Sequence, residues 1–349
     1  MAAGGDEEGA LVEAKRQRTE DGAMVSTGGG GAALVKNGPQ RTSELLAPIM
    51  LLSGHGAAVH TAKFSPDGAH LLSGSHDKTL LLWEVFGECR NLLTFKGHAN
   101  AVLEAHWLDS ELVTSASADK TAALWDVKTG GRVRLFRGHS SYVNSCCPSV
   151  GAPLLITGSD DCTARVWDTR SRSRPLIIRH PLPVTAVAAS MSGNEMYTGG
   201  VDGIVRVYDL RQSDNEVLRT LTGHEDIITS LALSPNGHSL LSNAMDNTIR
   251  CWDVRPYSAV PDRCEKTFLG AQHNYEKSLI KCNWSPNGER VACGSSDQFV
   301  YVWDAMSRRI LYKLPGHSGS VNEVAFHPHQ PILASCGNDK NIYLGEIQE

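Results

Sequence analysis

Histidine, aspartate and a hydroxyl side chain recur along this chain at nearly fixed intervals. Those three groups are the parts of a hydrolytic nucleophile set: a hydroxyl to attack, an imidazole to take its proton, a carboxylate to orient the imidazole. His55, Ser73 and Asp77 make the first group, with Trp83 six residues past the Asp. His98, Ser115, Asp119 and Trp125 make the second, His139, Thr157, Asp161 and Trp167 the third, and His224, Ser242, Asp246 and Trp252 the fifth. The fourth is His180, Thr198, Asp202 and Tyr208. The sixth (His273, Asp297, Trp303) has Cys293 where the hydroxyl belongs, and the seventh (His317, Ser335, Asp339) has Gly345 where the Trp belongs. An active site occurs once, so seven sets in register point away from catalysis. The other chemistry open to them is structural: imidazole, carboxylate, hydroxyl and indole N–H supply complementary donors and acceptors that tie strands together through a buried polar chain. On that reading units six and seven, each short of a member, carry the weaker networks.

The spacing says which elements must position these groups. Each His precedes its Asp by 21 to 24 residues, and the units repeat every 41 to 51. Residues 223–253 show the pattern most fully. Gly223-His224 is followed by an alternation through Ile228, Leu231 and Leu233, a turn at Ser234-Pro235-Asn236-Gly237, and an apolar run at Leu240-Leu241-Ser242. A polar turn ending in Asp246 and a last alternation through Ile249 to Trp252 complete the unit. Period-two runs between Pro, Gly and Asn turns predict short antiparallel strands. Seven units of this length, with Gly-His near the start and Trp-Asp at the end, resemble the WD repeat, whose fold is a β-propeller with one four-stranded blade per repeat. The expected fold is therefore all-β: a seven-bladed WD-repeat propeller over residues 48–349, closed by an N-terminal strand and preceded by a disordered tail at residues 1–47. Unit four should still form a blade, since Tyr208 can fill an aromatic site and hydrogen-bond.

Residues 1–47 are Gly, Ala and charge around Gly28 to Gly31, with too little apolar surface to offset the entropy of ordering. Within them Lys15, Arg16 and Arg18 form a short basic cluster of the kind read as a nuclear import signal, or else belong simply to a solvated tail. From Pro48 the pattern changes to Ile49-Met50-Leu51-Leu52 before Gly54-His55, a run that elsewhere forms the last strand of the preceding blade. Here no blade precedes it, and Glu349 comes just after the third strand of the seventh unit, Asn341 to Glu346. Residues 49–52 are therefore expected to complete the last blade and close the ring, leaving no unfinished edge. Truncation through Leu46 should then be harmless, and truncation through Ser53 should open the last blade.

Net charge is −5 with 20% charged residues, which gives no general reason for a nucleic-acid or anionic-membrane partner. Nine cysteines are scattered without a Cys-x-x-Cys pair, and Cys282, Cys293 and Cys336 fall inside strand patterns, as in a reduced, intracellular protein. No apolar run approaches the roughly 18 residues of a membrane span, and no secretory signal pattern opens the chain. No Gly-rich phosphate loop, metal-ligand cluster or paired carboxylates stand apart from the repeat, so no cofactor, metal or small-molecule substrate is expected. Two stretches depart from the repeat: the connection from Arg255 to Arg263, and the longer approach to unit six at Gln272 to Lys277. The turn after unit three carries Arg170, Arg172 and Arg174, which suit a phosphate or an acidic partner segment, or a solvated turn.

In each unit three positions can point into the central opening on the face carrying the Gly-His and Asp turns: the third and fifth after the His and the one before the Asp. They are Tyr142, Asn144 and Asp160 in unit three, Ile227, Thr229 and Met245 in unit five, and Ser320, Asn322 and Asn338 in unit seven. These are the candidate partner-binding residues, since buried aromatic and Met anchors often dominate an interface. Capping the channel is the alternative role.

Several stretches resemble a narrower family. Residues 47–55 (Ala-Pro-Ile-Met-Leu-Leu-Ser-Gly-His), 241–248 (Leu-Ser-Asn-Ala-Met-Asp-Asn-Thr), 300–304 (Val-Tyr-Val-Trp-Asp) and 308–317 (Arg-Arg-Ile-Leu-Tyr-Lys-Leu-Pro-Gly-His) are similar to the WD-repeat subunits of the U5 small nuclear ribonucleoprotein. So is the ending Gly345-Glu346-Ile347-Gln348, where that family likewise lacks a closing Trp. The resemblance runs through the propeller and fails in the tail. It implies a nuclear, non-enzymatic spliceosome component that docks on the largest U5 protein among other spliceosome subunits, supports pre-mRNA splicing as a scaffold, and meets U5 RNA mainly indirectly. A second reading is a substrate receptor of a cullin-type ubiquitin ligase. Such receptors meet their adaptor through the Arg of Trp-Asp-x-Arg, present at Trp167 to Arg170 and Trp252 to Arg255, with a Tyr variant at Tyr208 to Arg211.

Overall fold

The computed structural model describes residues 42–212, 216–258, 261–276 and 278–347. Of the tail expected at residues 1–47, residues 1–41, with Lys15, Arg16 and Arg18, lie outside them. The described residues form seven four-stranded antiparallel sheets. Six are consecutive in sequence, each meandering from an inner first strand to an outer fourth. Val59–Phe64, His70–Ser75, Leu80–Glu84 and Asn91–Phe95 make blade one, for example, and Val143–Pro148, Leu154–Ser159, Thr163–Asp168 and Leu176–Arg179 make blade three. Each first strand packs against the first strands of both neighbouring blades, and that of the seventh returns to that of the first, so the ring is closed.

Closure is made by the N-terminal segment. Ile49–Ser53 pairs antiparallel with Asn341–Glu346, in the register Ile49 to Gly345, Leu51 to Tyr343 and Ser53 to Asn341, and supplies the fourth strand of the seventh blade. The packed segment begins earlier than the expected boundary at residue 47. Leu45 is buried beside Val85 and Cys89 of blade one, and the Ser43 backbone N–H donates to Glu346 Oε1 at 2.8 Å. Truncation through Leu46 would therefore remove a core residue, and the expectation that it is harmless is corrected.

The strand alternation becomes the core in a regular way. Buried apolar residues gather into seven clusters, one at each blade-to-blade interface. Trp83, Trp125, Trp252 and Trp303 are among the most completely buried large side chains. At each Asp turn the residue after the Asp has a left-handed backbone: Lys78, Lys120, Cys162, Gly203, Asn247, Gln298 and Lys340. For the non-glycine residues this conformation costs on the order of 1 kcal/mol or more, and it persists only where the surroundings over-determine the turn. The Asp side chain does so. In blade one, Asp77 Oδ1 accepts from the Thr79 N–H at 3.0 Å and the Thr79 hydroxyl at 2.6 Å.

Candidate functional site

In blade one His55 Nδ1 lies 2.9 Å from Asp77 Oδ2, His55 Nε2 lies 2.7 Å from Ser73 Oγ, and the Trp83 indole N–H donates to the same Oγ at 2.8 Å. Blade two repeats this through His98, Asp119, Ser115 and Trp125 at 2.8, 2.7 and 2.8 Å. Blade three does so through His139, Asp161, Thr157 and Trp167 at 2.8, 2.9 and 2.9 Å, and blade five through His224, Asp246, Ser242 and Trp252 at 2.9, 2.6 and 2.7 Å. With the carboxylate ionised, donor accounting places the imidazole hydrogen on Nδ1, facing the Asp, and lets Nε2 accept the hydroxyl hydrogen. Burial alone would raise the pKa of Asp77, Asp119 and Asp246, but donation from the imidazole and the turn Thr outweighs it and holds all three well below the usual carboxylate range. Ser73, Ser115, Thr157 and Ser242 have no exposed surface. A hydroxyl that already accepts an indole N–H, and that no substrate can reach, is a tie between strands rather than a nucleophile.

Blades four, six and seven depart from this arrangement. Blade seven keeps His317 to Asp339 and to Ser335, both at 2.9 Å, and the Tyr343 ring packs edge-on to His317 at 4.6 Å. Blade six is rewired. Its His lies 24 residues before Asp297 instead of the commoner 22, and the imidazole turns to blade five, with Nε2 3.2 Å from Asn243 Nδ2. Asp297 accepts from the Tyr301 hydroxyl at 2.6 Å instead, and the Trp303 indole donates to the Leu269 carbonyl at 3.0 Å. In blade six the His273 Nδ1 is left without a partner, and blade four, which was not expected to be weak, is broken as well. Tyr208 fills the aromatic site, but its hydroxyl does not replace the indole, and Thr198 Oγ1 and His180 Nε2 are left without a partner. Arg206 has taken Asp202 at 2.6 Å. Burial, with the Arg206 cation beside it, lowers the His180 pKa to about 4.

Of the candidate partner-binding residues, Tyr142 is half-exposed, and Asp160, Ile227, Met245 and Asn338 are partly buried. Asn144, Thr229, Ser320 and Asn322 are buried. The fifth position after the His stitches one blade to the next: Asn144 donates to the Val184 carbonyl at 3.1 Å, Thr229 to Ile280 at 2.8 Å and Asn322 to Val59 at 2.7 Å. A side chain spent in that way is not presented to a partner. The exposed part of this candidate surface reduces to Tyr142 and the rim around it.

One constellation was missed. Lys281 of blade six reaches towards blade two, with Nζ 3.2 Å from Glu104 Oε1 and 3.1 Å from the Leu103 carbonyl, and lies 3.9 Å from Glu323 Oε2 of blade seven. Lys63 of blade one closes on Glu323 Oε1 at 2.6 Å. The four charges balance, and the remaining carboxylate oxygens accept backbone N–H groups, from Cys146 at 2.8 Å and Ala62 at 2.9 Å. Burial would raise Glu104, but Lys281 and His106 hold it below the ordinary carboxylate range. The signal in the sequence was a charge inside an apolar first strand, at Glu104, Lys281 and Glu323. Among the described residues, no group of three His, Cys, Asp or Glu is placed to hold a metal ion.

The WD domain, G-beta repeat family matches this chain at residues 46–84, 89–126, 130–168, 174–209, 215–253, 263–304 and 308–344. Over 347 residues the chain is 50% identical to the human U5 small nuclear ribonucleoprotein 40 kDa protein, covering 97% of this chain and 96% of that one. The protein of the same description from Dictyostelium discoideum is 49% identical over 336 residues, covering 96% and 93%. The chain belongs to the U5 small nuclear ribonucleoprotein 40 kDa family of WD-repeat proteins. The pre-mRNA-splicing factor cwf17 of Schizosaccharomyces pombe is 42% identical over 335 residues, 95% of each chain.

In this family member the repeat and the blade are offset by one strand. The first matched segment contains the closing strand Ile49–Ser53 and the first three strands of blade one, so each sequence unit spans two blades. The Trp-Asp-x-Arg arginines also differ from one another. Arg255 folds back on Asp253, Nε at 2.9 Å and Nη2 at 2.8 Å, and Arg211 grips Asp209 at 3.0 and 2.8 Å. All three Asp accept the backbone N–H of that Arg, but Asp168, which takes the N–H groups of Arg170 and Ser171 at 2.8 and 3.1 Å, makes no ion pair with the Arg170 guanidinium.

Proposed function

We propose that this chain is a resident, non-catalytic subunit of the U5 particle in the nucleus, supporting pre-mRNA splicing as a scaffold on which the largest U5 protein and other spliceosome subunits dock. The observation that carries the reading is identity near 50% along nearly the whole chain to proteins named for that particle, together with 42% identity to a named splicing factor. The physical chemistry supports a scaffold. The ring is closed, the His-Asp-hydroxyl sets of blades one, two, three, five and seven are consumed as ties, and seven interface cores and a four-charge cluster brace it from within. Such a disc offers two faces and an edge to several large partners without rearranging, and with a net charge of −5 it is held to them mainly through protein. Purified chain mixed with the purified largest U5 protein should co-elute in size exclusion before and after nuclease treatment. Separate elution with intact proteins, or capture only while RNA is present, would overturn the reading. Capture of a cullin adaptor instead would transfer it to the ubiquitin-ligase receptor.

A further inference from the structure

We infer that the outer edge of blades two and three is an RNA contact surface that takes the phosphate backbone. Between residues 128 and 179 the chain holds nine Lys or Arg and three Asp, with no Glu, although the whole chain is at −5. Six of these cations, Arg132, Arg137, Arg170, Arg172, Arg174 and Arg179, are exposed, and among the described residues none has a carboxylate within ion-pair distance. The neighbouring blades show that this is a local choice. At the same turn Arg211 and Arg255 are neutralised by their own Asp, whereas Asp168 accepts the backbone N–H groups of this turn and makes no ion pair with the Arg170 guanidinium.

The edge is continuous across the two blades. Arg134 on the outer strand of blade two (Arg132–Arg137) donates to the Asp168 carbonyl at 2.7 Å, which joins that strand to the Arg-rich turn of blade three. From the turn, the outer strand Leu176–Arg179 runs along the edge and ends in the exposed Arg179. Uncompensated guanidinium groups in this number call for an anionic partner. The turn reads Thr169-Arg170-Ser171-Arg172-Ser173-Arg174, guanidinium and hydroxyl donors without an apolar side chain. Arg with Ser and Thr is the donor set of phosphate-backbone contacts, whereas a protein-binding patch would centre on apolar and aromatic groups. The contact is local and reads no base sequence, and it adds to an assembly held mainly through protein.

The test is fluorescence anisotropy of the purified full chain with a labelled single-stranded RNA, titrated at several salt concentrations. The parent should bind with strongly salt-dependent affinity. Arg170→Gln/Arg172→Gln/Arg174→Gln, on an exposed turn, should melt like the parent yet bind at least about tenfold more weakly at low salt, with a log affinity against log salt slope shallower by about 2 for three lost contacts. Arg308→Gln/Arg309→Gln, on the corresponding exposed turn of blade six, should bind as the parent does. No RNA binding by the parent, an unchanged slope in the triple variant, or equal loss in both variants would each overturn the proposal. So would binding of a poly-glutamate peptide in place of RNA, which would make the edge a dock for an acidic protein.

Discussion

Replacing Lys281 with Met removes the cation at the centre of the interior charge cluster and leaves the rest of the ring in place. In the parent its ammonium answers Glu104 at 3.2 Å and Glu323 at 3.9 Å, and all three side chains are almost wholly buried. Without it Glu323 retains Lys63, but Glu104 keeps the Cys146 N–H, the Ser145 side chain and the partly buried His106, and no full cation. Breaking a buried pair by removing one partner costs about 3–5 kcal/mol, because the remaining charge stays desolvated. A domain has only about 5–15 kcal/mol in all, so urea unfolding followed by tryptophan fluorescence should show a large fall in midpoint with an unchanged slope. Adding Glu104→Gln should restore at least half of the loss, since a neutral amide can still accept from Cys146.

The pH dependence of the same variant has a definite sign. In the parent the folded Glu104 carboxyl lies below its unfolded value, so its contribution is present above the unfolded pKa of about 4.5 and is lost as pH falls further. In Lys281→Met the desolvated carboxyl moves above its unfolded value, and the destabilisation should shrink as pH falls from about 7 to 5. A loss under about 1 kcal/mol, or a double variant as unstable as the sum of its singles, would refute the argument that the cluster is a mutually compensating unit.

Removing residues through 41 should leave the melting temperature unchanged. Removal through Leu46 should lower it, since burying one Leu stabilises by about 1.5–3 kcal/mol, and removal through Ser53 should open the seventh blade; equal melting of all three would contradict the closure geometry. Asp246→Ala should cost about 1–3 kcal/mol and more than Asp297→Ala, because it strands the buried His224 imidazole and the Thr248 donors; equal chemical-denaturation midpoints would count against the network. The pKa of His180 is lowered to about 4 in the fold, so the neutral imidazole's contribution is present above the unfolded pKa of about 6.5 and is lost as pH falls towards 4. His180→Gln should flatten the decline in stability across that window, and an unchanged profile would show that His180 does not titrate there.

The fold was legible because the repeat is written seven times: the His to Asp spacing, the Ser-Pro-Asn-Gly type of turn and the unpaired run at Ile49 each constrain the others. The networks of blades one, two, three and five were legible for the same reason. What could not be read was how a missing member is replaced. Whether Tyr208 could stand in for Trp depended on the reach of its hydroxyl to Thr198, and whether His273 met Asp297 depended on where two extra residues placed the imidazole. The buried fates of Asn144, Thr229 and Asn322 were hidden because their partners are carbonyls of the next blade, some 40 to 50 residues away, or 263 across the closure. Lys281 and Glu104 are 177 residues apart in sequence, and only the ring brings them together.

Membership of the U5 particle as a scaffold can be tested by purifying the tagged chain from nuclear extract and identifying both the proteins and the RNA that come with it. The expected result is stoichiometric recovery of the largest U5 protein together with U5 RNA. Recovery of a cullin and its adaptor in stoichiometric amounts, with no U5 RNA, would contradict it.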